Sequence, residues 1–208
     1  MILLGQYDSP FVRRVAITLR LYGIPYEHRR WSVWGDADKI AEHNPLRRAP
    51  TLLLEDGTAL VETFAIVDAL DELAPPDRAL LPRSGPIRRE GLRIAALSTG
   101  MADKAASLMY EPMFRKVPSE VWMDRCTSQI TGTLEALERE RLARSSRYWL
   151  GPALSHADVA FACALRFTRE AHPTLFDPAR YPALSDTAER CESLEDFLAV
   201  YQPITNNI

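Results

Sequence analysis

Short apolar runs alternate with helix-period patterns through the first third of the chain. Ile2 to Gly5 reads as a strand, Pro10 to Tyr22 as a helix, Tyr26 to Arg30 as a second strand, and about Asp36 to His43 as a second helix. Thr51 to Leu54 and Ala59 to Val61 flank Asp56 and Gly57, which read as a hairpin turn. A helix from Thr63 to Leu73 closes the series. The order βαβ then αββα predicts a mixed α/β domain whose first two strands pair in parallel through a crossover helix.

Later in the chain the period becomes purely helical. Ile87, Gly91, Ile94, Ser98, Met101, Ala105 and Leu108 recur at steps of four and three, one face of a long helix. Trp122, Cys126, Ile130, Leu134 and Leu137 mark a second face, so the two helices should form an antiparallel hairpin that turns around Pro112 and Pro118. Ser155 as N-cap puts Asp158 at N3, a carboxylate version of the capping box, and Leu154 and Val159 have the spacing of a hydrophobic staple. The helix that starts there is small and apolar inside, at Ala160, Cys163, Ala164 and Phe167, and suits the middle of a bundle. Four prolines make residues 74–86 a linker. The expected organisation is an α/β domain over residues 1–74, a linker over 75–86 and an all-helical domain over 87–208.

Composition narrows the possible functions. In 208 residues, 47% hydrophobic content suffices for real cores without disulfides or metal. Residues 1–74 hold 8 Lys and Arg against 11 Asp and Glu, and the remainder 17 against 17, so neither part is a basic nucleic-acid-binding arm. The arginine pairs at Arg13, Arg29, Arg47 and Arg88 read as solvated faces. The longest apolar run, Val159 to Leu165, is far below the roughly 18 residues of a membrane span. No basic segment precedes the first apolar run, which argues against a secretory signal. Cys126, Cys163 and Cys191 form no CxxC pair, and His28, His43, His156 and His172 form no metal-ligand set. The histidines read as surface or cap residues, and a reduced cytoplasm is the expected location.

Three segments carry possible chemistry. Ser9 is placed as an N-cap and Pro10 as an N1 proline, which sets the Ser9 hydroxyl at the positive end of a helix dipole; Ser9 is then either a plain cap or a catalytic hydroxyl. Tyr7 carries a second hydroxyl two residues earlier, and Arg13, one turn later on the same face, adds positive potential or is exposed or ion-paired. The loop Asn44 to Thr51 runs into a strand headed by Pro50; it is either a plain turn or, with a cis bond that costs only about 0.5 to 1 kcal/mol, an edge that offers the Ala49 backbone to an extended peptide. Glu62 and Thr63 stand where a strand ends and a helix starts, either simple helix capping or an anion site with Glu62 able to hold an ammonium beside it.

Those segments, in that order, resemble the soluble glutathione transferase family over the whole length. Ser-Pro-Phe-x-Arg-Arg-Val is similar to the serine-type motif of many bacterial members, Asn-Pro-x-x-Arg-Ala-Pro to their Asn-Pro-x-Gly-Lys-Val-Pro loop, and Glu-Thr-x-Ala-Ile to Glu-Ser-x-Ala-Ile. Ser-His-Ala-Asp resembles the capping box of their helical domain. Arg47, Arg48 and Thr63 depart from the usual Gly, Lys or Gln, and Ser, while keeping a cation and a hydroxyl in place. No cysteine lies near the first helix, which disfavours the cysteine-type branches, and the Ser-rich, Cys-containing motif of the maleylacetoacetate isomerase branch is absent.

The resemblance implies a thioredoxin-like N-terminal domain that binds glutathione through Ser9, Phe11, Arg48, Ala49, Pro50, Glu62 and Thr63, with Ser9 catalytic and Tyr7 its rival, because some branches of the family use a tyrosine at the end of the first strand. It implies an apolar pocket, for which Trp34, Met101, Leu108, Met109 and Met113 are candidates, and a homodimer. The function implied is conjugation of the glutathione thiolate to small hydrophobic electrophiles in detoxification, with no metal, nucleic acid or membrane partner. The alternative is a non-catalytic ligand-binding or regulatory protein on the same fold.

Overall fold

In the computed structural model the described residues are 1–75 and 78–204; Pro76 and Asp77 of the expected linker, and the last four residues of the expected helical domain, lie outside them. The chain divides into two units, Met1–Leu80 with Leu194–Ile208, and Leu81–Ser193.

The first unit contains β1 (Ile2–Leu4), α1 (Pro10–Leu21), β2 (Glu27–Arg29), α2 (Ala37–Ala41), β3 (Thr51–Leu53), β4 (Ala59–Val61) and α3 (Thr63–Leu73). The sheet order is β2-β1-β3-β4, with β1 parallel to β2 and both other pairs antiparallel. Burial follows that order. Leu3 and Leu4 in β1 and all of β3 are buried, whereas edge strands β2 and β4 are partly or largely exposed. The hairpin turns where expected, with Gly57 at φ 88° and the Thr58 amide donating to Asp56 Oδ1 at 2.8 Å.

Helix α1 starts and stops by local rules. Ser9 caps it, accepting from the Val12 amide at 3.4 Å, and Pro10 sits in its first turn. At the other end Gly23 takes φ 67°, and the Gly23 and Ile24 amides return to the carbonyls of Arg20 and Leu19, a Schellman ending. Helix α1 packs against α3, and α8 (Glu195–Leu198), from the far end of the sequence, packs against α1.

The second unit is α4 (Pro86–Phe114), α5 (Glu120–Leu142), α6 (His156–Ala171), a 3-10 turn (Pro173–Leu175) and α7 (Pro182–Glu192). The expected α4 face is buried from Gly91 to Leu108, but Ile87 is 54% exposed, because a residue in the first turn has not yet reached the bundle. Helix α4 also continues through Pro112 to Phe114, so the turn lies in residues 115–119. Only two helical residues follow the ring, so the disruption a proline causes has little helix left to act on. The Glu111 carboxylate accepts the Ser119 amide at 2.8 Å, joining the end of α4 to the start of α5, and Arg93 near the start of α4 bonds Glu140 near the end of α5 at 3.0 Å. The hairpin is therefore antiparallel. On α5, Cys126, Ile130, Leu134 and Leu137 are buried, while Trp122 is partly exposed with the Lys104 ammonium 5.5 Å from its ring.

Helix α6 is buried along nearly its whole length, from His156 to Thr168, and packs on α4 and α7. The expected capping box is present and does more than cap. Asp158 Oδ2 accepts from the Ser155 amide at 2.9 Å and the Ser155 hydroxyl at 2.5 Å, while Oδ1 accepts from the Trp149 amide at 2.9 Å. Burial pushes the Asp158 carboxyl above the usual carboxylate range, against the hydrogen bonds that pull it down. His156 is buried rather than a surface residue, and the His172 Nε2 bonds the Ala105 carbonyl at 2.8 Å.

Asp158→Ala would leave the buried Trp149 and Ser155 amides without this acceptor, at about 1 to 3 kcal/mol each. Folding stability should fall by about 3 kcal/mol or more. Denaturant and thermal unfolding measure this, and a loss under about 0.5 kcal/mol, the size of an ordinary surface change, contradicts the assignment.

Candidate functional site

One missing side chain brings the three candidate segments together. Gly5, at the end of β1, has φ 125°, and a Cβ built on it would lie 2.6 Å from Val12 and 2.7 Å from Ala49. The first turn of α1 and the Ala49–Pro50 loop thus meet over a bare backbone. The third segment joins through Thr63, nearly fully buried, whose Oγ1 lies 3.5 Å from the Phe11 carbonyl, and through Arg48, whose Nη1 is 3.1 Å from Glu62 Oε1.

The middle loop is organised by a buried asparagine. Asn44 Nδ2 donates to the Arg48 carbonyl and to Thr51 Oγ1, both at 3.0 Å, and Oδ1 accepts the Leu46 amide at 3.0 Å. Asn44 is 1% exposed, so these bonds fix the loop from inside. Arg47 takes φ 53°, which accounts for glycine as the residue conformationally best suited there. The Ala49–Pro50 bond is cis.

Glu62 is a second non-glycine residue in the left-handed region, at φ 68°. Such a backbone costs of order 1 to 3 kcal/mol and gathers at functional sites. Although Glu62 is the N-cap of α3, its side chain makes no capping bond; it turns outward to Arg48, with both side chains more than half exposed. An exposed pair contributes about 0 to 1 kcal/mol, so this geometry adds little to folding. It presents a carboxylate and a guanidinium to solvent beside a helix start.

The two rival hydroxyls have different surroundings. Ser9 Oγ makes one hydrogen bond among the described residues, as acceptor from Val12, and keeps its O–H as a donor at the positive end of α1. The Tyr7 hydroxyl lies 2.8 Å from the Tyr26 hydroxyl, and its ring stacks on His28 at 3.8 Å. Burial, then the bond to Tyr26, raises the Tyr7 pKa far above its ordinary value. His28 donates Nε2–H to the Gly5 carbonyl at 2.8 Å, and burial lowers its pKa. Tyr7, Tyr26 and His28 are thus joined to one another and to the Gly5 carbonyl by stacking and hydrogen bonds.

The remaining candidates fall elsewhere. Arg13 is fully buried, neither exposed nor facing the open side of Ser9; its Nη2 donates to the Phe197 carbonyl at 2.9 Å and its Nε to the Val200 carbonyl at 3.3 Å. Trp34 is 45% exposed in the first unit; the four other pocket candidates are in the second. There Met101 and Leu108 are buried core, Met109 is half-buried and Met113 exposed. Gln202, which the sequence reading missed, accepts the Tyr7 amide at 3.2 Å with Oε1. No spacing or composition signal singles it out. Among the described residues no group of His, Cys, Asp and Glu could hold a metal, and no helix is long and apolar enough to cross a membrane.

Gly5→Ala should be among the most damaging single-methyl changes in the chain, because it forces both a close contact and a strained φ. We expect a loss of about 2 kcal/mol or more. Thermal unfolding tests this; a stability within about 0.5 kcal/mol of the parent would mean Val12 and Ala49 do not close on this backbone.

Comparison with known proteins places this geometry. Residues 3–78 match the family described as glutathione S-transferase, N-terminal domain, and residues 120–186 the one described as glutathione S-transferase, C-terminal domain. The mouse maleylacetoacetate isomerase is 29% identical over 94% of this chain and 89% of its own. A Methylobacterium radiotolerans glutathione S-transferase, solved in complex with glutathione sulfonate, has a TM-score of 0.90 at 26% identity, covering 100% of this chain and 98% of that one. A glutathione transferase family member from Pseudomonas fluorescens Pf-5, solved with bound glutathione, has a TM-score of 0.84 at 26% identity, covering 98% and 99%.

Proposed function

We propose that this chain, which belongs to the glutathione S-transferase family, conjugates the thiolate of glutathione to small hydrophobic electrophiles. Support for glutathione as co-substrate comes from the relatives crystallised with glutathione and its sulfonate. The observation that carries the reading is the Ser9 hydroxyl, its donor free for a ligand at the N-terminus of α1, beside Arg48, Glu62 and Thr63.

In this reading residues 1–74 hold the tripeptide and the helical residues from 87 to 193 supply the apolar surface for the electrophile. Glu62 takes the γ-glutamyl ammonium, the α3 N-terminus with Thr63 the adjoining carboxylate, and Arg48 the glycyl carboxylate. Ala49 and Pro50 present the loop backbone, and Phe11 lies in the α1 turn next to Ser9. Ser9 keeps its proton and donates to the sulfur, which favours thiolate over thiol. The thiol proton leaves to solvent, the sulfur lone pair forms a C–S bond, and a leaving group such as halide departs with its electron pair. The protein contributes a lowered thiol pKa and proximity rather than a covalent nucleophile of its own. A homodimer in the cytoplasm, acting in detoxification, is the setting we propose for this chemistry.

Two measurements test the site. Ser9→Ala should raise the bound thiol pKa by about one to two units, since a bond to a charged acceptor is worth about 1.5 to 3 kcal/mol and one unit is about 1.36 kcal/mol. Ultraviolet titration of the thiolate band in the glutathione complex, with matched conjugation rates toward a generic aryl halide, reads this; parent values for both leave Ser9 as a helix cap. Glu62→Ala should weaken glutathione binding about tenfold or more while changing folding stability by less than about 1 kcal/mol. Calorimetric titration reads the affinity, and an unchanged dissociation constant removes Glu62 from the site. Binding without turnover in the parent protein would favour the non-catalytic alternative.

A further inference from the structure

The link between β1 and α1, from Gly5 to Ser9, is short, and its Gly5 amide donates to the Arg29 carbonyl of β2 at 3.0 Å. Inside it the Ser9 amide reaches the Gln6 carbonyl at 3.2 Å. Besides the Tyr7 contacts to Tyr26 and His28, the far end of the sequence holds it from outside. Gln202, 8% exposed, accepts the Tyr7 amide at 3.2 Å and Arg30 Nη2 at 3.3 Å on the same Oε1. Four residues past Ser9, buried Arg13 donates to the carbonyls of Phe197 and Val200, with its guanidinium carbon 5.8 Å from the Phe197 ring centre. Phe197 and Val200 are themselves buried. The Arg13 amide, in turn, donates to the Ser9 carbonyl at 3.0 Å.

We infer that the segment 194–202 is a positioning element for Ser9, gripping the chain two residues before it through Gln202 and four residues after it through Arg13. This rests on the reading of Ser9 as the thiolate's hydrogen-bond donor. The two grips fix the direction in which α1 begins, and with it the Ser9 Oγ and the positive helix end. A donor that must meet a sulfur within a few tenths of an ångström is sensitive to such support. Arg13 serves the site from behind as a buried anchor whose five donors suit backbone carbonyls. The pair Arg20–Asp196, with N and O 3.0 Å apart but both side chains about a third exposed, adds only a weak third tie.

The test separates acceptor chemistry from bulk packing. Gln202→Leu removes the acceptor at similar size, and Gln202→Glu retains an acceptor oxygen beside Arg30. In the full chain with bound glutathione, Gln202→Leu should raise the bound thiol pKa by about half a unit to one unit and lower kcat about threefold to tenfold near neutral pH. The glutathione dissociation constant should change less than about twofold, and Gln202→Glu should restore both quantities. In the parent, the Tyr7 amide should be protected from hydrogen exchange, a reading that needs no variant to fold. A parent-like thiol pKa in Gln202→Leu, beside a raised one in Ser9→Ala, overturns the inference and keeps Ser9. Parent-like values in both variants overturn both readings. A shift in Gln202→Leu that Glu does not rescue, a shift without one in Ser9→Ala, or an unprotected Tyr7 amide each overturns the inference alone.

Discussion

Gly5 has no Cβ, and the first turn of α1 and the Ala49–Pro50 loop close into the space one would occupy. That contact brings into one place three segments separated by tens of residues in sequence. Through it, the loop ordered by Asn44 meets the helix start that carries Ser9, and the Glu62–Thr63 corner completes the arrangement through Arg48 and the Phe11 carbonyl. The sheet order makes this possible, because β1 and β3 are adjacent and their neighbouring ends deliver Gly5 and Pro50 to the same side. A side chain at position 5 would separate the groups that the proposed chemistry needs together.

Within a few residues the protein produces two unlike hydroxyls. Tyr7 is packed against His28, bonded to Tyr26 and held as a neutral phenol by burial. Ser9 is partly exposed at the positive end of a helix, with its proton still to give. The first arrangement suits support and the second suits stabilising an anion. The difference comes from surroundings rather than intrinsic acidity, since neither hydroxyl ionises readily near neutral pH.

The helical unit is held by a polar anchor of its own. Its central helix is anchored by Asp158, which satisfies backbone donors from two chain segments, and its three cysteines are buried. Burial pushes the Cys191 thiol far above its ordinary pKa, so it packs as a small apolar group and offers no thiolate.

Local rules made much of this legible from sequence. The Ser9 cap with Pro10, the Asp56–Gly57 hairpin, the parallel first strand pair and the Ser155–Asp158 box depend on residues close in sequence or on simple period, and the structure has them all. Short-range patterns were misleading at Ile87 and Trp122, since periodicity marks a face and not how much of it a neighbour covers. Pro112 was misjudged because its place near a helix end softens a rule written for helix interiors. The burial of Arg13, the different surroundings of Ser9 and Tyr7, the outward turn of Glu62 and the docking of Gln202 were decided only by tertiary structure. Each depends on groups from 14 to 195 residues away, and an arginine or glutamine carries no local mark of the carbonyl or amide it will meet once the chain is packed.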